Sequence, residues 1–269
     1  MIDESLAEIF KAVAQARRSV LLLDYDGTLS PFQINRQDAL PYPGVQALLQ
    51  NITEVGRTRL VMITGRDARE LRSLLRLRPF PEVWGSHGLQ RLRPNGRCEM
   101  PEVPDAVAAT LADAKRWLGY QGLQHLAEVK PGSIAVHWRA LEEHEAEELR
   151  GRILMGWFPI ADRESLKLLE FDGGVEMRMP DLDKGDAVRT ILAEEGRGVP
   201  VAYLGDDNTD EQAFRTLKND GLSILVRPKP RKTSAQIWLR PPEELLSFLS
   251  NWLEATKTAA FAQGATSVR

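Results

Sequence analysis

Apolar residues along this chain keep two alternating rhythms. Leu6, Ile9, Phe10 and Val13 share one helical face, and the run Val20 to Leu23 that follows is apolar at every position. Such a run is too short to cross a membrane and suits a central parallel strand covered on both faces. Ser30 to Tyr42 reads as a polar, proline-bounded loop, and Gly44 to Val55 as a helix with Val45, Leu48, Leu49 and Ile52 on one side. RLVMITGRDARELRSLL then supplies an apolar run, a threonine and glycine at its end, and a helix for which Asp67 and Glu70 offer a capping box. Strand, helix and strand in that order predict a parallel α/β sheet. Glu82 to Ser86 predicts one more strand, and LQRLRPNGRCEM a hairpin turning at Asn95-Gly96.

Near Pro104 the rhythm changes. Asp105 to Leu118 is helical, and two strand-like segments meet at Lys130-Pro131-Gly132-Ser133, a turn with proline and glycine in type II positions. With Pro131 and Gly132 as the loop, Lys130 faces Ser133, Glu128 faces Ala135 and Leu126 faces His137. Alternation then puts Glu128, Lys130, His137 and Arg139 on one face and Val129, Ile134, Val136 and Trp138 on the other. Leu141 to Phe158 is a second helix, and Leu166 to Phe171 with Gly174 to Met179 a second hairpin around Asp172-Gly173, in which Glu176 and Arg178 alternate with Val175, Met177 and Met179. This α-β-β-α-β-β block lacks the βαβ alternation and reads as an insert of roughly 75 residues, the size of a small domain. Its charged face is open to two readings, a solvated sheet surface or a surface that reads a neutral polyhydroxyl ligand through mixed donors and acceptors.

At Met179-Pro180 the α/β pattern returns. Asp181 and Asp183 can cap a helix whose first turn holds Lys184, VPVAYLGD is a strand, Thr209 onward is helical and Gly221 to Val226 is a last core strand. The basic loop RPKPRKT reads as solvated, Pro241 to Ala255 as an amphipathic helix, and Thr256 to Arg269 as a mobile tail. The expected organisation is a core over 1–103 and 180–255, an α/β cap over 104–179 and a flexible tail over 256–269.

At 269 residues the chain can bury a full core. A formal charge of −3 with interspersed signs suggests neither a nucleic-acid surface nor a polybasic membrane patch, so a small-molecule partner is the default, with a monomer as the working expectation. The single cysteine, Cys98, excludes an internal disulfide framework and fits a reducing cytosol, and the first twenty residues lack the apolar h-region of a signal peptide.

Candidate chemistry sits where the strands end. Asp24 and Asp26 in DYDGT follow the Val20 run at the carboxyl end of a strand, where open α/β sheets place ligands. Alone the pentapeptide reads as a turn. A calcium loop of the EF-hand kind needs glycine sixth and glutamate twelfth, whereas Gly27 is fourth and Asn35 twelfth. The functional alternative is an aspartyl nucleophile, Asp24, with an acid/base partner, Asp26. Thr64 and Gly65 offer a hydroxyl and an N–H to phosphate oxygens. A lysine in the first turn of a helix opposes the helix dipole, so Lys184 is costly there unless it meets an anion. Asp206, Asp207, Asp210 and Glu211 exceed what capping requires and repel one another unless a cation, naturally Mg²⁺, holds them. His87 reads either as a group supporting the site or as a solvated loop histidine.

Taken together, DYDGT, Thr64-Gly65, Lys184 and GDDNTD resemble, in order and strand-end placement, the four motifs of the haloacid dehalogenase superfamily of phosphohydrolases. Within it LLLDYDGTLSPF, ITGR, GSHG, EVKPGSIAVHWR, VEMR and YLGDDNTDE most resemble the trehalose-6-phosphate phosphatases, over roughly residues 18 to 250. The resemblance implies a Rossmann-like core with an inserted cap, and hydrolysis of a sugar phosphate through an aspartyl-phosphate. Mg²⁺ would be held by Asp24, the Asp26 carbonyl, Asp206 and, through water, Asp207, while Thr64, Gly65 and Lys184 hold phosphoryl oxygens. Glu128, Lys130, Arg139 and Glu176 would contact the sugar or its phosphate, with His87 among the substrate-binding candidates. Sucrose phosphate or mannosyl-phosphoglycerate as substrate, and a silent sugar-phosphate-binding subunit, remain as alternatives.

Overall fold

The computed structural model describes residues 4–33, 36–180 and 183–264. The chain opens with α1 (Glu4–Gln15), β1 (Ser19–Leu23), α2 (Val45–Val55), β2 (Thr58–Ile63), the single turn α3 (Leu71–Leu74), β3 (Glu82–Gly85), β4 (Gln90–Leu92) and β5 (Cys98–Glu99). Next come α4 (Asp105–Tyr120), β6 (Ala127–Lys130), β7 (Ser133–His137), α5 (Glu143–Ala161), β8 (Lys167–Phe171) and β9 (Gly174–Arg178). It resumes with α6 (Lys184–Glu195), β10 (Val201–Gly205), α7 (Glu211–Leu217), β11 (Leu222–Val226), β12 (Ile237–Leu239) and α8 (Glu243–Gly264). Two compact units result: Met1–Glu99 with Asp183–Asp206 and Asp210–Arg269, and Met100–Leu182 with Asp207–Thr209. Among the described residues no helix is long and apolar enough to cross a membrane.

Among its described residues the first unit contains an eight-stranded sheet in the order β12-β11-β10-β1-β2-β3-β4-β5. Neighbours from β12 to β3 run parallel, and β4 and β5 turn back antiparallel. All of β1 is buried. Val20 and Leu22 pack on one side with Val188, Ile191 and Phe214, while Leu21 and Leu23 pack on the other with Leu49, Leu249 and Trp252. Two covered faces explain why the run is apolar at every position rather than at every second one.

Three expectations fail in this unit. The strand at Leu222–Val226 is not the last of the core, because β12 pairs parallel with it. The helix expected after Ile63 shrinks to the four residues of α3, without the capping box. Asp67 instead accepts from Arg69 N at 2.8 Å and from the Gln90 amide at 2.8 Å, so its carboxylate is committed to a turn. The terminal helix does not stop at Ala255 but continues to Gly264, because the small residues beyond it, Ala259, Ala260 and Ala262, are strong helix formers. Ile34 and Asn35 of the expected loop, Asp181 as a possible cap, and 265–269 of the expected tail lie outside the described residues.

In the second unit, α4 and α5 cover one face of an antiparallel sheet ordered β6-β7-β9-β8. The helices and strands follow the expected α-β-β-α-β-β order. Glu128 pairs with Ala135 and Lys130 with Ser133, as the two-residue loop requires, but Leu126 precedes β6, so the ladder begins at Ala127 and Val136. Ile134, Val136, Val175 and Met177 meet Leu118, Ile153 and Trp157 in the core. Val129 shares their face yet is 57% exposed, because β6 is the edge strand.

This assignment makes a contrast in stability. Leu22→Ala is expected to cost about 2–5 kcal/mol in denaturant unfolding, and Val129→Ala less than about 0.5 kcal/mol; comparable losses would contradict the placement of the two strands.

Candidate active site

Parallel register brings three strand ends together. Leu23 lies beside Leu204 on one flank and Met62 on the other. Asp24 continues the ladder by donating its N–H to Leu204 O at 2.9 Å, and Thr64 N donates to Trp84 O at 2.8 Å. Asp24, Thr64 and Asp206 therefore emerge from adjacent strands, and all three are buried. The turn after Asp24 must pass close to Asp206. Gly27 has φ +80, and a Cβ there would lie 2.2 Å from Asp206 Oδ2, so only glycine fits.

Lys184 enters from the first position of α6, where Asp183 and Asp186 form a reciprocal capping box. Its ammonium lies 2.9 Å from Asp24 Oδ1 and 2.7 Å from Asp210 Oδ1. The unfavourable dipole position is offset by these two anions. Asp210 also accepts from Tyr203 Oη at 2.5 Å and from Asp206 N at 3.0 Å. Gly205 permits this approach, since a Cβ there would sit 2.4 Å from Asp210 Cγ.

Carboxylate oxygens of Asp24, Asp206 and Asp210 lie within 4.8 Å of one another. Burial pushes the Asp24 carboxyl up to about 7, with Asp210 and Asp26 adding to the rise and Lys184 opposing it. Burial alone would depress Lys184, but Asp210 and Asp24 outweigh it and hold the ammonium charged. Tyr203 is raised by burial and then by Asp210, so it stays a neutral donor. Three buried carboxylates beside one ammonium form an all-oxygen donor set that suits a hard divalent cation. Asp207 is not in this cluster. Its Oδ1 accepts from Asn208 N at 2.7 Å, whereas Asp210, one helical turn after Asp206, comes back beneath the strand end. Asp210 was among the four acids that stood out in the sequence, and the i, i+4 spacing is what returns it to Asp206.

Arg66 escaped the sequence reading. Its side chain is fully buried and grips Asp26 with two bonds, Nε to Oδ2 at 2.6 Å and Nη2 to Oδ1 at 2.5 Å. A charged third residue after Thr64 and Gly65 was visible, but nothing in the sequence said that it points inward. Thr64 Oγ1 accepts from Arg66 N at 3.1 Å, closing a local turn while leaving its own proton to donate. The His87 ring packs against Gly65, where a Cβ would lie 2.6 Å from it. His87 is 8% exposed, so the solvated alternative is excluded. Ser86 and His87 hold positive φ, and their N–H groups donate to Arg66 O and Thr64 O at 2.8 and 2.9 Å, fastening the 64–66 loop.

The basic loop after β11 is not wholly solvated as expected. Its lysines are exposed, but its arginines turn inward. Arg227 Nη1 and Arg231 Nε donate to Asp206 O at 3.3 and 3.2 Å. Glu211, counted among the cation-seeking acids, instead anchors this loop through Arg231, Thr233 and Ser234 N.

Within the second unit, Ser133 Oγ donates to Glu176 Oε1 at 2.8 Å, and Lys130 Nζ lies 3.2 Å from the same atom. Glu128 Oε2 meets His137 Nε2 at 2.8 Å, and the His137 ring lies 5.3 Å from that of Phe171. Pairing places Leu169 and Phe171 on this face beside Glu176 and Gly174, so the surface expected to be polar also carries apolar contact area. Arg139 follows β7 and donates to Asp172 O in the next hairpin.

Residues 22–242 match the model of a family described as trehalose-phosphatase. The chain is 28% identical to probable trehalose-phosphate phosphatase 3 of Oryza sativa subsp. japonica, across 90% of this chain and 71% of that one. Its fold is similar to the C-terminal domain of a C. albicans trehalose-6-phosphate phosphatase, with TM-score 0.80 at 17% identity over 93% of this chain and 96% of that one. A haloacid dehalogenase-like hydrolase from B. subtilis is similar with TM-score 0.61 at 15% identity, over 86% and 99%.

The acid cluster makes the response to divalent cations depend on pH. With Asp24 raised from 3.8 to about 7, the folded chain binds a proton across that interval that the unfolded chain does not. Its contribution to stability is present in acid and is lost as pH rises through about 7. A cation held by Asp24 works against that loss. The rise in melting temperature on adding MgCl₂ is therefore expected to be larger near about pH 8 than near about pH 5; an equal or reversed difference would contradict the cluster's role.

Proposed function

The chain belongs to the trehalose-phosphatase family, and from that premise we propose that it hydrolyses trehalose-6-phosphate to trehalose and phosphate through an aspartyl-phosphate on Asp24. It is a phosphoric monoester hydrolase of haloacid dehalogenase architecture, working in trehalose biosynthesis. The observation that carries the assignment of Asp24 is the buried ammonium of Lys184, 2.9 Å from Asp24 Oδ1 at the carboxyl end of the central strand.

In the first step an Asp24 oxygen attacks phosphorus, the bond to the sugar oxygen breaks, and that oxygen keeps the electron pair and takes a proton from Asp26. In the second, water attacks phosphorus, the pair of the breaking bond returns to Asp24, and Asp26 recovers a proton from the water. Thr64 and Gly65 donate to phosphoryl oxygens, and Lys184 offsets their charge. The family's cation is Mg²⁺, which the Asp24 and Asp206 carboxylates and the Asp26 carbonyl would hold, with Asp207 through water. When bound it neutralises negative charge on the phosphoryl group, which otherwise repels an approaching carboxylate by several kcal/mol at about 4 Å. The free thiol Cys98 supports a reducing compartment, the cytosol.

Choice of sugar is assigned to Glu128, Lys130, Arg139 and Glu176 of the second unit. Carboxylates accept from sugar hydroxyls and cations donate to them, which is what the mixed signs of this face supply. His87, whose ring packs against Gly65 in the first unit, supports the phosphate loop and is assigned with those residues to substrate contact.

Phosphate release measured across trehalose-6-phosphate, sucrose phosphate, mannosyl-phosphoglycerate and glucose-6-phosphate tests the substrate. Trehalose-6-phosphate is expected to have the highest kcat/KM; parity with glucose-6-phosphate would overturn the choice, and no release from any ester would favour a silent binding subunit. Glu128→Ala is expected to lower kcat/KM for trehalose-6-phosphate about tenfold or more, the worth of a charged hydrogen bond, while p-nitrophenyl phosphate changes much less. Equal losses on both would remove this face from sugar recognition.

A further inference from the structure

The half-buried Arg59 and the buried Arg91 each serve several acids at once. Arg59 spans Glu82, Glu194 and Glu195, and Arg91 spans Glu82 and Glu194, tying α6 to β2, β3 and β4. Arg66 differs. Asp26 is the sole hydrogen-bond acceptor of its side chain among the described residues, and its Nη1 is sealed from solvent without a partner. Burying a guanidinium on one acid is costly, so its reason should lie in that acid.

The backbone of Arg66 is held on both sides, by Thr64 Oγ1 at 3.1 Å and by Ser86 N at 2.8 Å. Its guanidinium lies 5.5 Å from the Tyr25 ring centroid. The planar fork therefore has little freedom, and two parallel bonds fix both the position and the plane of the carboxylate they grip. Asp26 is the open member of the pair, its side chain 28% exposed against 1% for Arg66. Without the fork, the Asp26 side chain would redistribute among its rotamers.

Resting on the assignment of Asp24 and Asp26 above, we propose that Arg66 is a positioning residue that aims the Asp26 carboxyl group, as acid in the first proton transfer and as base in the second. Its loss then slows the departure of groups that need a proton, and leaves unaffected the departure of groups that do not. A sugar leaves as a strongly basic alkoxide unless protonated, whereas p-nitrophenolate leaves unaided.

Rapid-quench kinetics on the full chain with Mg²⁺ separates these steps. Arg66→Ala is expected to lower kcat on trehalose-6-phosphate about 10- to 100-fold, within the range of general acid–base catalysis. With p-nitrophenyl phosphate the initial burst of p-nitrophenolate should keep its rate within about threefold, while the turnover that follows slows because water attack needs Asp26. Arg66→Lys keeps the charge without the fork and should show the same split at smaller size, which covers the case in which the alanine variant fails to fold. The proposal is overturned if a folded variant slows the burst as much as it slows sugar-phosphate turnover, or slows neither. Asp24→Asn tests the underlying assignment separately: it should abolish the burst, and a burst that survived would remove Asp24 as nucleophile whatever Arg66 does.

Discussion

A buried ammonium held between two carboxylates organises the first unit. Each contact of Lys184 with Asp24 or Asp210 is worth on the order of 5 kcal/mol at an effective dielectric near 20, before the cost of removing the charges from water. That attraction explains a lysine in the first turn of α6, where the helix dipole opposes it. Asp210 then ties the ammonium to β10 through Tyr203 and the Asp206 N–H, so one ion network links α6, β1 and β10. Three carboxylates share this space with one lysine, an all-oxygen donor set that suits a divalent cation.

Around that network each support is built from short-range geometry. Register sets the ends of β1, β2 and β10 side by side. Gly27 and Gly205 clear the volume into which Asp206 and Asp210 reach. The strained turn at Ser86 and His87 fastens the 64–66 loop, and Arg227 with Arg231 fastens the carbonyl of Asp206. These contacts hold the acids in place before any ligand arrives, which is how a site supplies charge stabilisation without reorganising.

Much of this was legible because it follows from local periodicity and chemistry. The fully apolar run of β1 signalled a strand covered twice, and the Pro131-Gly132 turn determined which residues of β6 and β7 pair. The odd placement of Lys184 pointed to an anion. What stayed hidden depends on tertiary approach. Arg66 and Arg231 look like ordinary surface charges until Asp26 and Glu211 meet them. Asp67 and Glu70 had the spacing of a capping box, but the Gln90 amide claimed Asp67 and α3 never lengthened. Asp210, four residues after Asp206, joins the acid cluster only because a turn brings it back to the strand end.

The proposed mechanism requires Asp24 to carry the phosphoryl group during turnover. Acid quenching of the protein a few milliseconds after mixing with Mg²⁺ and trehalose-6-phosphate, followed by mass spectrometry of its peptides, tests this directly. A phosphoryl adduct on the peptide containing Asp24, formed and lost at rates compatible with kcat, is the predicted result. Turnover that proceeds with no such adduct, together with activity that survives Asp24→Asn, would contradict it.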